Sequence, residues 1–157
     1  AQMARDFPLA QTLMKERIAL GRAVGNYALI SSEANNLSMV ERQLGNLDAA
    51  ETLIREALEI AYQRGDAWMM PYGVSGLAAI YAERGEFERA ATLVGAAEAM
   101  MEAEGADWPP DERPHYEKTV ATLTATMTPD DFERARDAGF SMTVSEAVHF
   151  ALEPCPA

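Results

Sequence analysis

The sequence predicts an all-α protein built as a stack of antiparallel helical hairpins. Apolar residues recur at spacings of three and four, which places them on one face of an amphipathic helix. One such set is Leu53, Ile54, Ala57, Leu58 and Ala61. The apolar pattern also repeats along the chain, together with glycines at the ends of the segments. These two observations indicate hairpins that bury their apolar faces against one another.

The internal repeat has a period of 40 residues. The matching residues are Leu37, Gly45, Leu47, Ala50, Leu53, Ala57, Gly65 and Trp68 in one copy and Leu77, Gly85, Phe87, Ala90, Leu93, Ala97, Gly105 and Trp108 in the next. The same register runs back to Phe7. We therefore expect a half repeat over residues 1–26 and full repeats over about 27–66 and 67–106.

Five glycines mark the predicted helix ends, because glycine readily adopts the left-handed backbone conformation that closes a helix. Gly45 and Gly85 stand where the first helix of a hairpin must stop. Gly25, Gly65 and Gly105 stand where the second helix must stop. We expect equivalent glycines to have comparable backbone conformations.

The repeat pattern stops at Trp108, which two prolines follow. We expect a helix over about 111–126 that caps the stack. Residues 1–108 are therefore assigned to the repeats, and residues 109–157 to C-terminal capping helices of the same domain.

Two further helices are predicted in this tail. Thr128 precedes a proline at the first helical position, which favours a helix start, and we expect Gly139 to end that helix. Thr143 and Glu146 have the spacing of a capping box, which opens a last helix that runs to about Leu152. The sequence thus predicts eight helices and no strand.

The second full copy resembles the tetratricopeptide repeat. The residues at that family's spacings are Leu77, Ala78, Tyr81, Gly85, Ala90, Val94 and Ala97. The chain departs from the family at Val74, where tryptophan is common, at Glu41, which replaces the tyrosine, and in its longer period. The resemblance covers residues 1 to about 108. It implies a right-handed superhelical stack that binds a protein or a peptide and needs neither cofactor nor metal.

In that family the first helix of each hairpin lines a concave groove. The corresponding positions here are Ser32, Asn35, Met39, Arg42 and Gln43, followed by Tyr72, Ser75, Ala79, Ala82 and Glu83. These side chains are mostly small and neutral, with one arginine. The resemblance therefore implies a partner-binding groove, but not the basic clamp with which chaperone-binding members hold a peptide carboxylate.

The tail carries a second resemblance. The segments that carry it are Ala96–Glu98, Trp108–Pro110, Tyr116, Phe132, Gly139 and Ser145–Val148. They are similar to the C-terminal end of large bacterial regulators, in which an ATPase module precedes helical repeats and a LuxR-type helix-turn-helix or a cyclase domain lies elsewhere. No phosphate-binding GxxxxGK[ST] motif occurs in this chain. Such parts are therefore expected outside it.

No catalytic or metal-binding motif is present, and an enzyme is not predicted. His115 and His149 are far apart, which favours surface or capping roles. Glu98 and Glu102 are four residues apart, and Glu83 would lie on a neighbouring helix, which is the minimum for paired acid-base carboxylates. Acidic residues line almost every helix, so we expect these three to be solvated surface residues.

The two tryptophans hold the same position in successive copies. We expect Trp68 and Trp108 to pack at equivalent helix junctions and not to serve as stacking platforms for a ligand. Methionines cluster at the helix ends, at Met69, Met70, Met100 and Met101. We expect them to fill the core.

The composition suits a cytoplasmic protein that binds neither DNA nor membranes. The formal charge is -12, which repels a phosphate backbone. Cys155 is the only cysteine in 157 residues, and this suits a reducing compartment. No apolar run approaches a membrane span, and Ala1-Gln2-Met3 does not start like a signal peptide.

Three classes of function stay open. The first is an interaction and sensing module in the C-terminal part of a bacterial transcriptional regulator. The second is a scaffold or oligomerisation segment without a regulatory role. Part of the apolar face of Leu9, Leu13, Met14 and Leu20 is expected to be exposed, so that the N-terminal end either self-associates or is held less firmly than the rest. An enzyme would need a pocket with converging polar residues, which no motif indicates.

The charge leads to a first prediction: the chain does not bind duplex DNA, because it has no basic stripe to replace the counterions of the phosphates. Fluorescence anisotropy with a labelled duplex should show no binding at micromolar protein. Salt-sensitive binding in that range would contradict the prediction.

Overall fold

The computed structural model describes residues 6–154, and in that range the chain forms eight α-helices and no strand, as predicted. Cys155 and the start of the chain at Ala1-Gln2-Met3 lie outside the described residues. The helices are α1 (Phe7–Val24), α2 (Tyr27–Gln43), α3 (Leu47–Arg64), α4 (Met70–Glu83), α5 (Phe87–Ala103), α6 (Arg113–Thr126), α7 (Pro129–Phe140) and α8 (Val144–Leu152).

The turn glycines fall into two conformational groups that follow the repeat. Gly25, Gly65 and Gly105 have φ angles of 69°, 64° and 61°, and each follows the second helix of a hairpin. Gly45 and Gly85, between the two helices of a hairpin, have φ angles of 84° and 81°. Equivalent turns thus share one backbone conformation, and a residue with a Cβ atom would be strained in all five.

The hairpin of α2 and α3 is antiparallel and closely packed. The Ser31 hydroxyl donates to the carbonyl oxygen of Ala57 at 3.0 Å, and the Ser38 hydroxyl donates to that of Ala50 at 2.7 Å. The serine that comes later in α2 pairs with the alanine that comes earlier in α3, and both separations are seven residues. The two helices therefore run in opposite directions. Alanine leaves the α3 backbone accessible to these two hydroxyls.

The apolar core has two parts. The larger part joins α3, α4 and α5 to the three C-terminal helices and has Tyr81, Leu93 and Leu123 among its fully buried side chains. The smaller part lies between α1, α2 and α3 and consists of Ile18, Ile30, Ala34, Leu37 and Ala57. The N-terminal half repeat is therefore held by a much smaller apolar contact than the rest of the chain.

The most extensive helix contact joins α5 to α7, and two glycines permit it. A Cβ atom at Gly95 would fall inside the van der Waals radius of the Arg136 carbonyl oxygen. A Cβ atom at Gly139 would do the same to the Thr92 carbonyl oxygen. Each glycine thus receives the backbone of the other helix, which brings the two axes closer than any side chain would allow.

The last helix, α8, is fixed by arginines of two other helices. Arg55 of α3 donates to the carbonyl oxygen of Leu152 at 2.8 Å. Arg89 of α5 donates to the carbonyl oxygens of Phe150 and Glu153. The final carbonyls of a helix have no partner within it, so these guanidinium groups satisfy acceptors that would otherwise require water.

Two expectations about the turns are wrong. Gly139 does not end its helix; it lies inside α7, which continues to Phe140, and its role is the contact with α5. Trp68 does not pack like Trp108: its side chain is 61% exposed, whereas that of Trp108 is 9% exposed. Asp66 accepts from the backbone N–H groups at Trp68 and Met69 and closes a short turn before α4, which directs Trp68 to solvent.

The methionines fill the core as expected. Met70, Met100 and Met101 are buried, and Met69 packs against the larger core cluster from a half-buried position. Flexible thioether side chains suit the irregular space at helix ends.

The α5–α7 contact leads to a second prediction. Replacement of Gly95 or Gly139 by alanine should lower the free energy of unfolding by about 3 kcal/mol, because overpacking against a backbone cannot be relieved by a rotamer change. Urea denaturation would measure the loss. The comparison variant is Gly76→Ala in α4, where the new methyl group meets side-chain atoms of Ile54 at 2.8 Å and beyond. Equal losses in all three variants would contradict the proposed backbone contact.

Candidate functional site

The positions that line the groove in tetratricopeptide repeats come together in part on α2 and α4. Six of the predicted residues line one cavity: Asn35, Met39, Arg42, Tyr72, Ser75 and Ala79. They converge because residues three and four apart share one face of a helix. Ser32, Gln43, Ala82 and Glu83 do not line it, although Glu83 accepts from Arg42 at 3.5 Å.

The groove is not open, because the start of α6 lies over it. Asn35 donates through Nδ2 to Glu112 Oε1 at 3.1 Å, and Arg42 donates through Nη2 to His115 Nδ1 at 3.1 Å. The space that remains is about 10 Å³, room for no more than one water molecule. The residues predicted to bind a partner are thus engaged by a segment of their own chain.

Aromatic rings fix the entry of α6 into the groove. Trp108 stacks on Tyr116 with 4.8 Å between ring centroids and 20° between planes. Its ring also contacts Tyr72 of α4 at 6.1 Å and 49°. This arrangement joins the segment before α6, α6 itself and the groove wall through one buried tryptophan, with favourable offset and tilted ring contacts.

Burial shifts the pKa values of the groups at this contact. Desolvation raises the pKa of Glu112 above its usual range, and the hydrogen bond from Asn35 offsets part of that increase. Desolvation lowers the pKa of His115, and the charges of Arg42 and Lys118 lower it further. Desolvation and the nearby carboxylates of Glu112 and Asp111 raise the pKa of Tyr72. Neutral His115 is therefore the form that accepts from Arg42.

The two histidines differ in their surroundings. His149 is exposed and contacts the Ser145 backbone carbonyl oxygen, in agreement with a surface role. His115 is half-buried against Arg42, so the expectation of a surface or capping role is wrong for it. No sequence pattern links His115 to Arg42, because the two residues are 73 positions apart.

The candidate acid-base carboxylates do not meet. Glu98 is half-buried and binds the Arg136 guanidinium through both oxygens, so it is not a solvated surface residue as expected. Glu102 is exposed, and Glu83 accepts from Arg42 of α2. Among residues 6–154 no group of three or more histidine, aspartate, glutamate or cysteine side chains is arranged to hold a metal ion.

No sequence pattern indicated that the predicted capping helix, α6, would lie over the groove. The buried residues of α6 are only Thr119 and Leu123, which is too few to define an apolar stripe. The sole local indication was the pair of prolines after Trp108, which prevents the chain from continuing the repeat.

Comparison with known proteins supports part of this interpretation. A family model described as tetratricopeptide repeat matches residues 34–64, from the middle of α2 to the end of α3 and about a fifth of the chain. No curated protein and no solved structure matches the chain. The family match and the all-helical fold of the described residues support a tetratricopeptide-like domain, a type of module that generally mediates protein–protein interaction. No helix within residues 6–154 is long and apolar enough to span a membrane.

The contact between Arg42 and His115 leads to a third prediction. Because the folded-state pKa of His115 lies below the unfolded value of 6.5, its stabilising contribution is present above that pH and is lost as the pH falls through the folded pKa. Urea unfolding at several pH values between 7.5 and 5 should show a loss of stability that is smaller in His115→Gln.

Glu112 contributes a pH dependence of the opposite sign: because its pKa is raised in the folded state, its protonation at lower pH stabilises the folded protein. Glu112 is present in both proteins, so this contribution cancels in the comparison. His149→Gln serves as the control at an exposed histidine. Parallel pH profiles of the wild type and His115→Gln would contradict the prediction.

Proposed function

We propose that this domain is a non-catalytic interaction and sensing module whose partner, a protein or a peptide, binds on the face formed by α2 and α4. The observation that carries the proposal is the convergence of Asn35, Met39, Arg42, Tyr72 and Ser75 on one cleft between two first helices of successive hairpins. Two hydrogen-bonding side chains, an arginine and an aromatic ring in one cleft are suited to bind a polar peptide segment with specificity.

We infer further that the module is the C-terminal part of a bacterial transcriptional regulator that works in the cytoplasm. The similarity of the tail to such regulators and the single cysteine support this. In that setting the hairpins follow the right-handed superhelix of tetratricopeptide arrays, and α6, α7 and α8 close its C-terminal end. Other domains of the protein would bind DNA or nucleotide, while the acidic repeat domain would not.

A scaffold or oligomerisation segment is the alternative, and one observation favours it. Leu9, Leu13 and Leu20 of α1 are 54%, 49% and 58% exposed and lie along one face. The equivalents of Leu13 and Leu20 in α3 are Leu53 and Ile60, which pack on the smaller core cluster formed with α1 and α2. The corresponding face of α1 is thus of the kind that a second copy would cover.

The fourth prediction separates the two functions. Partners are first found by a two-hybrid screen against fragments of the parent genome, and the affinity of each purified partner is then measured. At least one partner should bind Ser75→Lys at least tenfold more weakly than the wild type, because that variant places a charge in the groove. Ala125→Lys, on an exposed part of α6, and the double variant Leu13→Lys with Leu20→Lys should bind like the wild type.

Two results together would favour the scaffold instead. Only the α1 double variant would lose binding, and sedimentation would show a wild-type self-association that this variant abolishes. A wild-type protein that is monomeric and has no partner sensitive to either surface would overturn both functions.

A further inference from the structure

The first turns of α6 occupy the groove in the way that a bound segment would. Glu112 accepts from Asn35 and His115 accepts from Arg42, both at 3.1 Å, and Tyr116 lies four residues beyond Glu112 and stacks on Trp108. These groups come from one short stretch of chain. The groove side contributes polar groups that are themselves buried, since Asn35 and Arg42 are among the least exposed polar residues described. The contact is therefore specific and largely removed from solvent.

The rest of α6 is held weakly. Only Thr119 and Leu123 are buried, whereas α5 buries ten of its seventeen residues. Four of the fourteen residues of α6 are threonines, which have low helix propensity. Each of these threonine hydroxyls donates to the carbonyl oxygen four residues earlier, a bond that slightly destabilises a helix. Apart from its contact with the groove, helix α6 is therefore held mainly by Leu123 and Val120, which pack in and against the larger core cluster.

We propose that α6 is a built-in competitor for the α2–α4 groove, and that this groove binds a partner helix of the same chemistry only after α6 has moved away. This inference rests on the proposed function, because it identifies the ligand of the same cleft. The partner is an acidic helical segment with a carboxylate that accepts from Asn35. Three residues after that carboxylate it has a hydrogen-bond acceptor for Arg42. Four residues after the carboxylate it has an aromatic ring that stacks with Trp108 or Tyr72.

Competition within one chain is strong. A short tether holds α6 near the groove at an effective concentration of about millimolar, so a free segment of equal affinity would have to exceed that level to bind. Binding in trans should therefore be weaker in the wild type than in a variant in which the internal segment is weakened. This difference is what the experiment measures.

The test uses the whole chain and a labelled synthetic peptide with the sequence of residues 107–126. Glu112→Lys places a cation opposite Arg42 and Asn35 and leaves the groove intact. Glu117→Lys is the matched control, with the same charge change at an exposed position of the same helix. In Glu112→Lys, we expect amide hydrogen exchange in residues 113–126 to accelerate at least tenfold and the peptide to bind at least tenfold more tightly than to the wild type. The control should behave like the wild type in both measurements.

A peptide with the Glu112→Lys change should not bind the Glu112→Lys protein, because it lacks the carboxylate. If Glu112→Lys does not fold, as circular dichroism would show, the double variant Glu112→Ala with His115→Ala removes both acceptors without adding a charge. Unchanged exchange in α6, or faster exchange without peptide binding, would overturn the proposal. A natural partner that binds the wild type while α6 stays protected would overturn it too but leave the proposed function intact. Peptide binding to Glu112→Lys in a protein for which no natural partner exists would support competition by α6 and overturn the proposed function.

Discussion

The C-terminal helices are anchored to the hairpins where α7 crosses α5, at Gly95 of α5 and Gly139 of α7. Each glycine admits a carbonyl oxygen of the opposite helix, so the two backbones meet without intervening side chains. Neither helix can shift far toward the other at this crossing, because the energy of overlap between backbone atoms rises steeply as they approach. With α7 fixed, the chain before it must bring α6 across α4, and the chain after it must bring α8 against α3 and α5. This close crossing lies between the two parts of the C-terminal region that cover the hairpins.

Helix α2 joins its neighbours through polar groups to an unusual extent. Ser31 and Ser38 bind the backbone of α3, Glu33 and Glu41 bind side chains of α1, and Arg42 binds α4 and α6. Each such bond contributes only about 1 kcal/mol net, whereas loss of one partner costs more because a buried group is left unsatisfied. In the described part of the chain no buried side-chain nitrogen or oxygen lacks a partner. These bonds therefore specify the register of α2 more than they stabilise it.

Local signals in the sequence were enough to predict the helices, since a glycine turn such as Gly65 or a capping threonine such as Thr143 acts within a few residues of itself. They were not enough to predict which helices meet. Gly139 looked like a helix end, because glycine serves both as a terminator and as a point of close approach, and only the facing carbonyl decides between them. Six of the ten residues predicted to line the groove lie around one cavity between α2 and α4. The segment that covers them came from 70 or more positions away, and pattern analysis within one helix cannot detect such a contact.

The two tryptophans lie in different surroundings, so their fluorescence reports on different parts of the protein. Trp68 faces solvent, so its emission is that of a hydrated indole and is insensitive to events elsewhere in the fold. Trp108 is enclosed between two tyrosines, and its emission reflects an apolar environment that exists only while those rings are stacked. With Trp68 replaced by phenylalanine, a single tryptophan would remain, at the junction between α5 and α6, and it can be excited selectively over the five tyrosines. The rate at which that junction opens and closes then becomes measurable in real time, without a label and at the concentrations used for binding.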